Sequence, residues 1–135
     1  MYPEFVNKMI QRIQTLYILF AGLLLGLFWW LHPFHSSFLC DTYEYTVWIT
    51  GIVLFIDLFL FSVRPVQIKL GWISVILLIL LIGLRIYETV TSGGDFIPEK
   101  DVWWILPVVS IVFVKLAINA IRRDENLVKS VDRIR

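Results

Sequence analysis

A chain of 135 residues that is 59% hydrophobic and 17% charged exceeds the roughly 45–50% apolar content of a soluble domain, and its mean hydropathy of +0.79 points the same way. The net charge of +1 hides an uneven distribution: basic residues gather at both ends and in one short link, which argues for membrane topology over nucleic-acid binding. The single cysteine, Cys40, excludes an internal disulfide, paired-cysteine redox or zinc chemistry, and with them the four-helix quinone-linked thiol oxidases.

Residues 1–8 are polar and are followed by a second methionine, Met9, so they read as an upstream extension without structural weight. Residues 13–31 are almost wholly apolar, and about 19 residues rising 1.5 Å each cross a hydrocarbon layer of about 30 Å. The flank of Lys8 and Arg12 suits a secretory signal, but the run is too long for one and no small-residue cleavage site follows; an uncleaved anchor is the better reading. Inside this span Gly22 and Gly26 form a small-xxx-small pair with Thr15 on the same face. Such a pair lets two backbones approach, here within the bundle ahead of self-dimerisation, although glycine is also simply common in membrane helices.

Phe28, Trp29 and Trp30 at the end of this span, with Tyr43, Tyr45, Trp103 and Trp104, read as an aromatic belt at one interface. The intervening residues 32–41 contain no Lys or Arg. His32, His35 and Cys40 sketch a metal site, but Pro33 breaks the helical spacing a histidine pair needs, so interfacial histidines are preferred and no metal or cofactor is expected.

A second span covers residues 45–63 and holds Asp57. Thr46, Thr50, Val53 and Asp57 share one helix face, which should look into the bundle. Residues 64–69 read as a tight antiparallel hairpin in which Pro65 ends the helix. The third span, residues 70–87, ends near Arg85, with Glu88 as its partner at the interface. A turn-rich loop over residues 89–101 precedes the fourth span, residues 102–121. Lys8, Arg12, Arg64, Lys69, Arg122, Arg123, Lys129, Arg133 and Arg135 fall on one side and only Lys100 on the other, which puts both termini in the cytoplasm and requires an even number of spans.

Two charges lie inside the spans. Asp57 and Lys115 each sit about six residues from the cytoplasmic end of their helix, roughly 9 Å deep. An unpaired charge there costs up to about 2.5–3.5 kcal/mol, so the two are expected to pair. Snorkelling of Lys115 past Asn119 is the alternative, but it does not help the shorter aspartate. A structural role is preferred to a proton or substrate path because no relay of acids or histidines leads outward. Over residues 122–135, Leu127, Val128, Val131 and Ile134 recur at helical spacing opposite Glu125 and Lys129. This reads as a short amphipathic helix that meets anionic lipid or docks on a partner, with a solvated extension of the fourth helix as the third reading. The fold class is all-α: a single membrane domain forming an integral four-helix bundle with a short cytoplasmic amphipathic C-terminal helix.

The strings Met9-Ile10-Gln11-Arg12-Ile13-Gln14-Thr15 with Tyr17, Gln67-Ile68, and Ala117, Asn119, Ala120, Ile121, Asp124, Glu125, Leu127, Val128, Ser130, Asp132 and Arg133 resemble a bacterial family of four-span membrane proteins classed as a domain of unknown function and typical of the Bacteroidetes. The similarity runs from Met9 to Arg135. It implies a four-helix inner-membrane protein and brings no activity or catalytic residue with it. The leading expectation is a non-enzymatic accessory subunit whose partners are the lipid bilayer and other integral membrane subunits, with no nucleic acid. A small proton-coupled transporter using Asp57 is the alternative. The small multidrug exporters match in size only, since their key acid lies in a first helix that has none here. An enzyme ranks third, because no nucleophile with a paired base lies in or beside a span.

Overall fold

In the computed structural model, residues 4–31, 38–60, 63–91 and 102–134 are described, with side chains from residue 12 in the first helix and from residue 41 in the second. The elements in order are α1 (Glu4–Leu31), α2 (Phe38–Phe59), α3 (Arg64–Thr91), a single 3-10 turn (Val102–Trp104) and α4 (Ile105–Arg133). All four helices are long and apolar enough to cross a membrane. α1 and α3 have 28 residues each and α4 has 29, more than the roughly 20 that a span needs.

The boundaries differ from the sequence expectation at three places, each for a local reason. Helix α1 begins at Glu4, so residues 4–8 are helical. Residues 64–69 are not a hairpin but the first turns of α3. Pro65 starts that helix rather than ending the previous one, because a first-turn residue has no intrahelical partner for an N–H and proline lacks only that group. The chain reverses just before, where the Leu60 N–H reaches the Ile56 and Asp57 carbonyls and the Val63 N–H reaches the Leu60 carbonyl. Pro107 enters the first turn of α4 in the same way. Finally, residues 122–133 form no separate helix. They continue α4 without a break.

The helices pack as a ring: α1 against α2 and α4, and α3 against α2 and α4, leaving α2 diagonal to α4. Buried positions step by three and four along every helix. They are Gln14, Ile18, Ala21, Leu25 and Phe28 on α1, Thr46, Thr50, Leu54 and Asp57 on α2, Gln67, Gly71, Ser74, Leu78 and Leu81 on α3, and Ser110, Val114, Ala117, Ile121 and Asp124 on α4. That alternation is the seam of a left-handed bundle, where a 3.5-residue repeat keeps one stripe facing the partner helices. The predicted Thr46, Thr50 and Asp57 face is therefore internal, with Leu54 completing it in preference to the half-buried Val53.

Closest approach between helices falls at small residues on this seam. A methyl group added to Gly71 would lie 2.9 Å from Cγ1 of Ile118 on α4. On α1, the Ala21 carbonyl accepts a hydrogen bond of 3.2 Å from Ser110 Oγ. Gly22 and Gly26 face elsewhere, since a methyl added to either meets nothing within 4 Å. The expected helix contact at the glycine pair is absent from the bundle interior. Because the pair sits one residue off the seam, Ala21 and Leu25 take the inward positions.

Large apolar side chains face outward as well as inward, and several polar ones are buried beside the apolar core of Ile18, Leu25, Phe28, Leu78 and Leu81. Gln14, Thr50, Asp57, Gln67, Ser74, Ser110 and Asp124 are buried, whereas Leu23, Ile52, Phe55, Ile76, Ile79 and Ile105 are exposed. A helix that is apolar on every face needs an apolar surrounding, and large exposed apolar surface is rare on soluble monomers.

Candidate functional site

The interior has two ends of different character. At the end holding Leu31, Phe38 and Thr91, Phe28, Tyr43 and Trp104 interlock, with ring centroids 4.9 Å apart for Phe28–Trp104 and 5.8 Å for Tyr43–Trp104, both edge to face. Tyr43 Oη donates to Glu88 Oε2 at 2.9 Å and lies 2.9 Å from the Leu84 carbonyl. Arg85 Nη1 pairs with the same Glu88 oxygen at 2.8 Å, and its guanidinium lies 6.0 Å from the Trp104 ring centre. The predicted Arg85–Glu88 partnership is present. Part of the predicted aromatic belt, Phe28 above all, is instead an internal plug closing that end.

The opposite half carries a buried polar layer. Antiparallel register fixes its height: Ala21 opposite Ser110 puts Gln14 level with Ala117, Gly71 is level with Ile118, and the Asp57 carbonyl accepts from Gln67 Nε2 at 3.4 Å. Gln14, Asp57, Gln67 and Ser74, drawn from three helices, thus lie within about 10 Å along the bundle axis. Asp57 is 1% exposed, yet its Oδ1 has no hydrogen-bond partner, and neither does Gln14 Nε2 or Ser74 Oγ. Buried polar atoms without partners are few in native proteins and mark places where an ion, a water or a function belongs. The available chemistry is one carboxylate, two amides and a hydroxyl, which can hold a proton, water or a small cation.

The expected Asp57–Lys115 pair does not form. Lys115 Nζ sits 4.7 Å from the ring centre of Trp72 on α3, and Asp57 has no ion pair among the described residues. Two things separate them: α2 and α4 are diagonal, and the register that sets Gly71 level with Ile118 puts Lys115 near Ser74 while Asp57 sits by Gln67, so Lys115 takes the aromatic face beside it on α3. The cross-helix ion pair that does form was not anticipated. Arg64 Nη2 at the start of α3 lies 3.0 Å from Asp124 Oδ2 of α4, where Asp124 is 3% exposed. The Asp124 oxygen is off the N–H line, so this is a charge pair rather than an aligned hydrogen bond. Its signal was the seam spacing of Asp124, three residues after Ile121.

Of the predicted docking face, Leu127, Val128 and Ile134 are exposed, Ile134 at 86%, and Val131 is partly so. Leu127 and Val128, at 37% and 39% exposed, are partly covered, whereas Ile134 is open. On the other side of this turn Lys129 Nζ pairs with Glu125 Oε1 at 2.8 Å, and that hydrogen bond, with the lysine's charge, holds the Glu125 carboxyl below its ordinary value. Among the described residues no three His, Cys, Asp or Glu side chains gather as metal ligands. His32, His35 and the Cys40 side chain lie outside the described residues.

Fold and interior together define a class: among the described residues, an all-helical bundle of four helices long and apolar enough to span a membrane, apolar outside and with polar side chains buried within. The chain belongs to the family described as Domain of unknown function (DUF4293), which matches residues 41–134. The match covers three of the four helices and includes the 67–68 and 117–133 strings; the Met9–Tyr17 string lies before it. No curated protein and no solved structure matches the chain.

Proposed function

We propose that this is a multi-pass protein of a bacterial inner membrane, with four spans and both termini in the cytoplasm, acting as a non-enzymatic accessory subunit that packs against a larger membrane complex. The observation that carries the reading is an open groove of about 310 Å³ between α1 and α2, lined by Gly22, Gly26 and Gly51 and by Trp29, Trp48 and Phe55. A methyl added to any of its glycines would meet nothing within 4 Å, and bare backbone beside aromatic walls suits the ridge of another transmembrane helix. The large exposed apolar surface of the helices supports membrane residence, and the exposed Leu127, Val128 and Ile134 offer a second contact at the cytoplasmic end.

One observation favours a second reading, a small proton-coupled transporter: the buried Asp57 with its unpartnered oxygen. Against it, the core beyond the polar layer is Ile18, Leu25, Phe28, Leu78 and Leu81, and the hydroxyls of Thr46, Thr50 and Ser110 are spent on backbone carbonyls. The polar layer has no polar route to the far end among the described residues.

The test is purification in mild detergent with Gly26→Leu as the comparison. The variant fills the groove without touching the bundle interior, so it should keep the monomer's thermal midpoint while releasing the chains that co-purify with the wild type. If the wild type runs alone, and Asp57→Asn abolishes a substrate-dependent proton flux in vesicles, the transporter reading replaces this one.

A further inference from the structure

On the outer surface, where α3 meets α4, two cations converge on one indole. Lys115 Nζ lies 4.7 Å and Arg122 Cζ 5.8 Å from the ring centre of Trp72. Lys115 and Arg122 are exposed, and neither has an ion pair or side-chain hydrogen bond among the described residues. Lys69, one turn from Trp72 on α3, is a third exposed cation without an ion pair. The nearby acids are taken: Asp124 is buried against Arg64, and Glu125 is held by Lys129. One indole offsets only part of the charge that two cations bring to it, so the cluster is cationic on balance.

We infer that this seam binds one anionic phospholipid of the cytoplasmic leaflet, its phosphate between Lys115 and Arg122 and its glycerol region against Trp72; the inference rests on the membrane reading above. Depth selects a lipid over a soluble anion. Lys115 lies about 9 Å inside the apolar run that ends at Ile121, a level that a headgroup phosphate meets from below while its chains continue upward. The chains have a lane: Ile76 and Ile79 follow Trp72 on α3, Val112 and Val108 precede Lys115 on α4, and all four are exposed. Charge selects an anionic headgroup over a zwitterionic one, because a choline or ethanolamine group would bring a further positive charge to an already cationic site. Basic pockets between membrane helices on the cytoplasmic side recognise headgroups by this chemistry.

The test uses the full chain in detergent, after carbonate extraction has placed the wild type in the membrane fraction; recovery in the soluble fraction would overturn the membrane reading and this site with it. For the membrane-bound protein, added phosphatidylglycerol should raise the thermal midpoint, whereas phosphatidylcholine with the same chains and inorganic phosphate should not. Lys115→Gln/Arg122→Gln should weaken the apparent affinity for phosphatidylglycerol about thirty-fold. Arg123→Gln/Arg133→Gln, which removes as many charges from the same end, should leave it unchanged. Equal shifts with both lipids, a shift with phosphate alone, or a response lost equally in both double variants would overturn the lipid site and leave membrane residence standing. A readout that needs no charge variant to fold is tryptophan quenching by lipids brominated on their chains. Brominated phosphatidylglycerol should quench more than brominated phosphatidylcholine, the excess should vanish in Trp72→Phe, and an excess that survives Trp72→Phe refutes the site.

Discussion

Gly71 is the residue on which the packing of α3 against α4 turns. A methyl there must displace Ile118 from 2.9 Å, so Gly71→Ala should lower stability by about 1–3 kcal/mol in reversible unfolding from detergent, even though alanine favours the helix. Gly22→Ala and Gly26→Ala meet open space and should be neutral or gain up to about 1 kcal/mol. Charges at this scale behave by the same rule of actual contact. A double-mutant cycle between Asp57 and Lys115 should show coupling within about 0.5 kcal/mol, because the two are on diagonal helices, whereas Arg64 and Asp124 should couple by about 1–3 kcal/mol. Coupling of that size between Asp57 and Lys115 would refute the ring order. Asp57 was legible as an internal residue from its spacing with Thr46 and Thr50. Its partner was not, because neither the order of helices around a bundle nor their register against one another can be counted from a sequence.

Among the elements, α4 carries the clearest expectation. Its last turns leave Leu127, Val128 and Ile134 exposed, so a stop codon replacing Val128 should leave the unfolding free energy of the isolated protein within about 0.5 kcal/mol of wild type. The same truncation should weaken any assembly that uses the docking face, which native gel migration of the complex reads separately. A marked loss of stability in the isolated chain would mean that the tail packs back on the bundle. At the same end of the bundle, Pro65→Ala should be tolerated, since Pro65 lies in the first turn of α3 and its missing N–H has no partner to lose. Helix existence was readable because each apolar block is long. The seam was harder to read, since helices apolar on every side give almost no amphipathic contrast. The usable signal was small and polar residues repeating at three and four: Gln67, Gly71 and Ser74 on α3, and Ser110, Ala117 and Asp124 on α4.

Over the whole molecule, the proposed topology predicts an accessibility pattern. In a Cys40→Ser background, Ser92→Cys should react with an impermeant maleimide in cells whose outer membrane has been made permeable, while Ser130→Cys should react only after the inner membrane is opened. Equal labelling of both positions would overturn the assignment of both termini to the cytoplasm. The sequence by itself determined four apolar blocks, the all-helical class, the charge asymmetry between the ends and the internal face of α2, because length, hydropathy and spacing act locally along the chain. Tertiary structure alone decided that α2 and α4 stand diagonal, that Lys115 meets Trp72 and leaves Asp57 without it, that Arg64 reaches Asp124, and that Gly71 rather than Gly22 or Gly26 lies at the crossing. The reason is physical: in a bundle of uniformly apolar helices, steric fit at small residues and a few buried polar contacts select among orders that hydropathy leaves nearly equal.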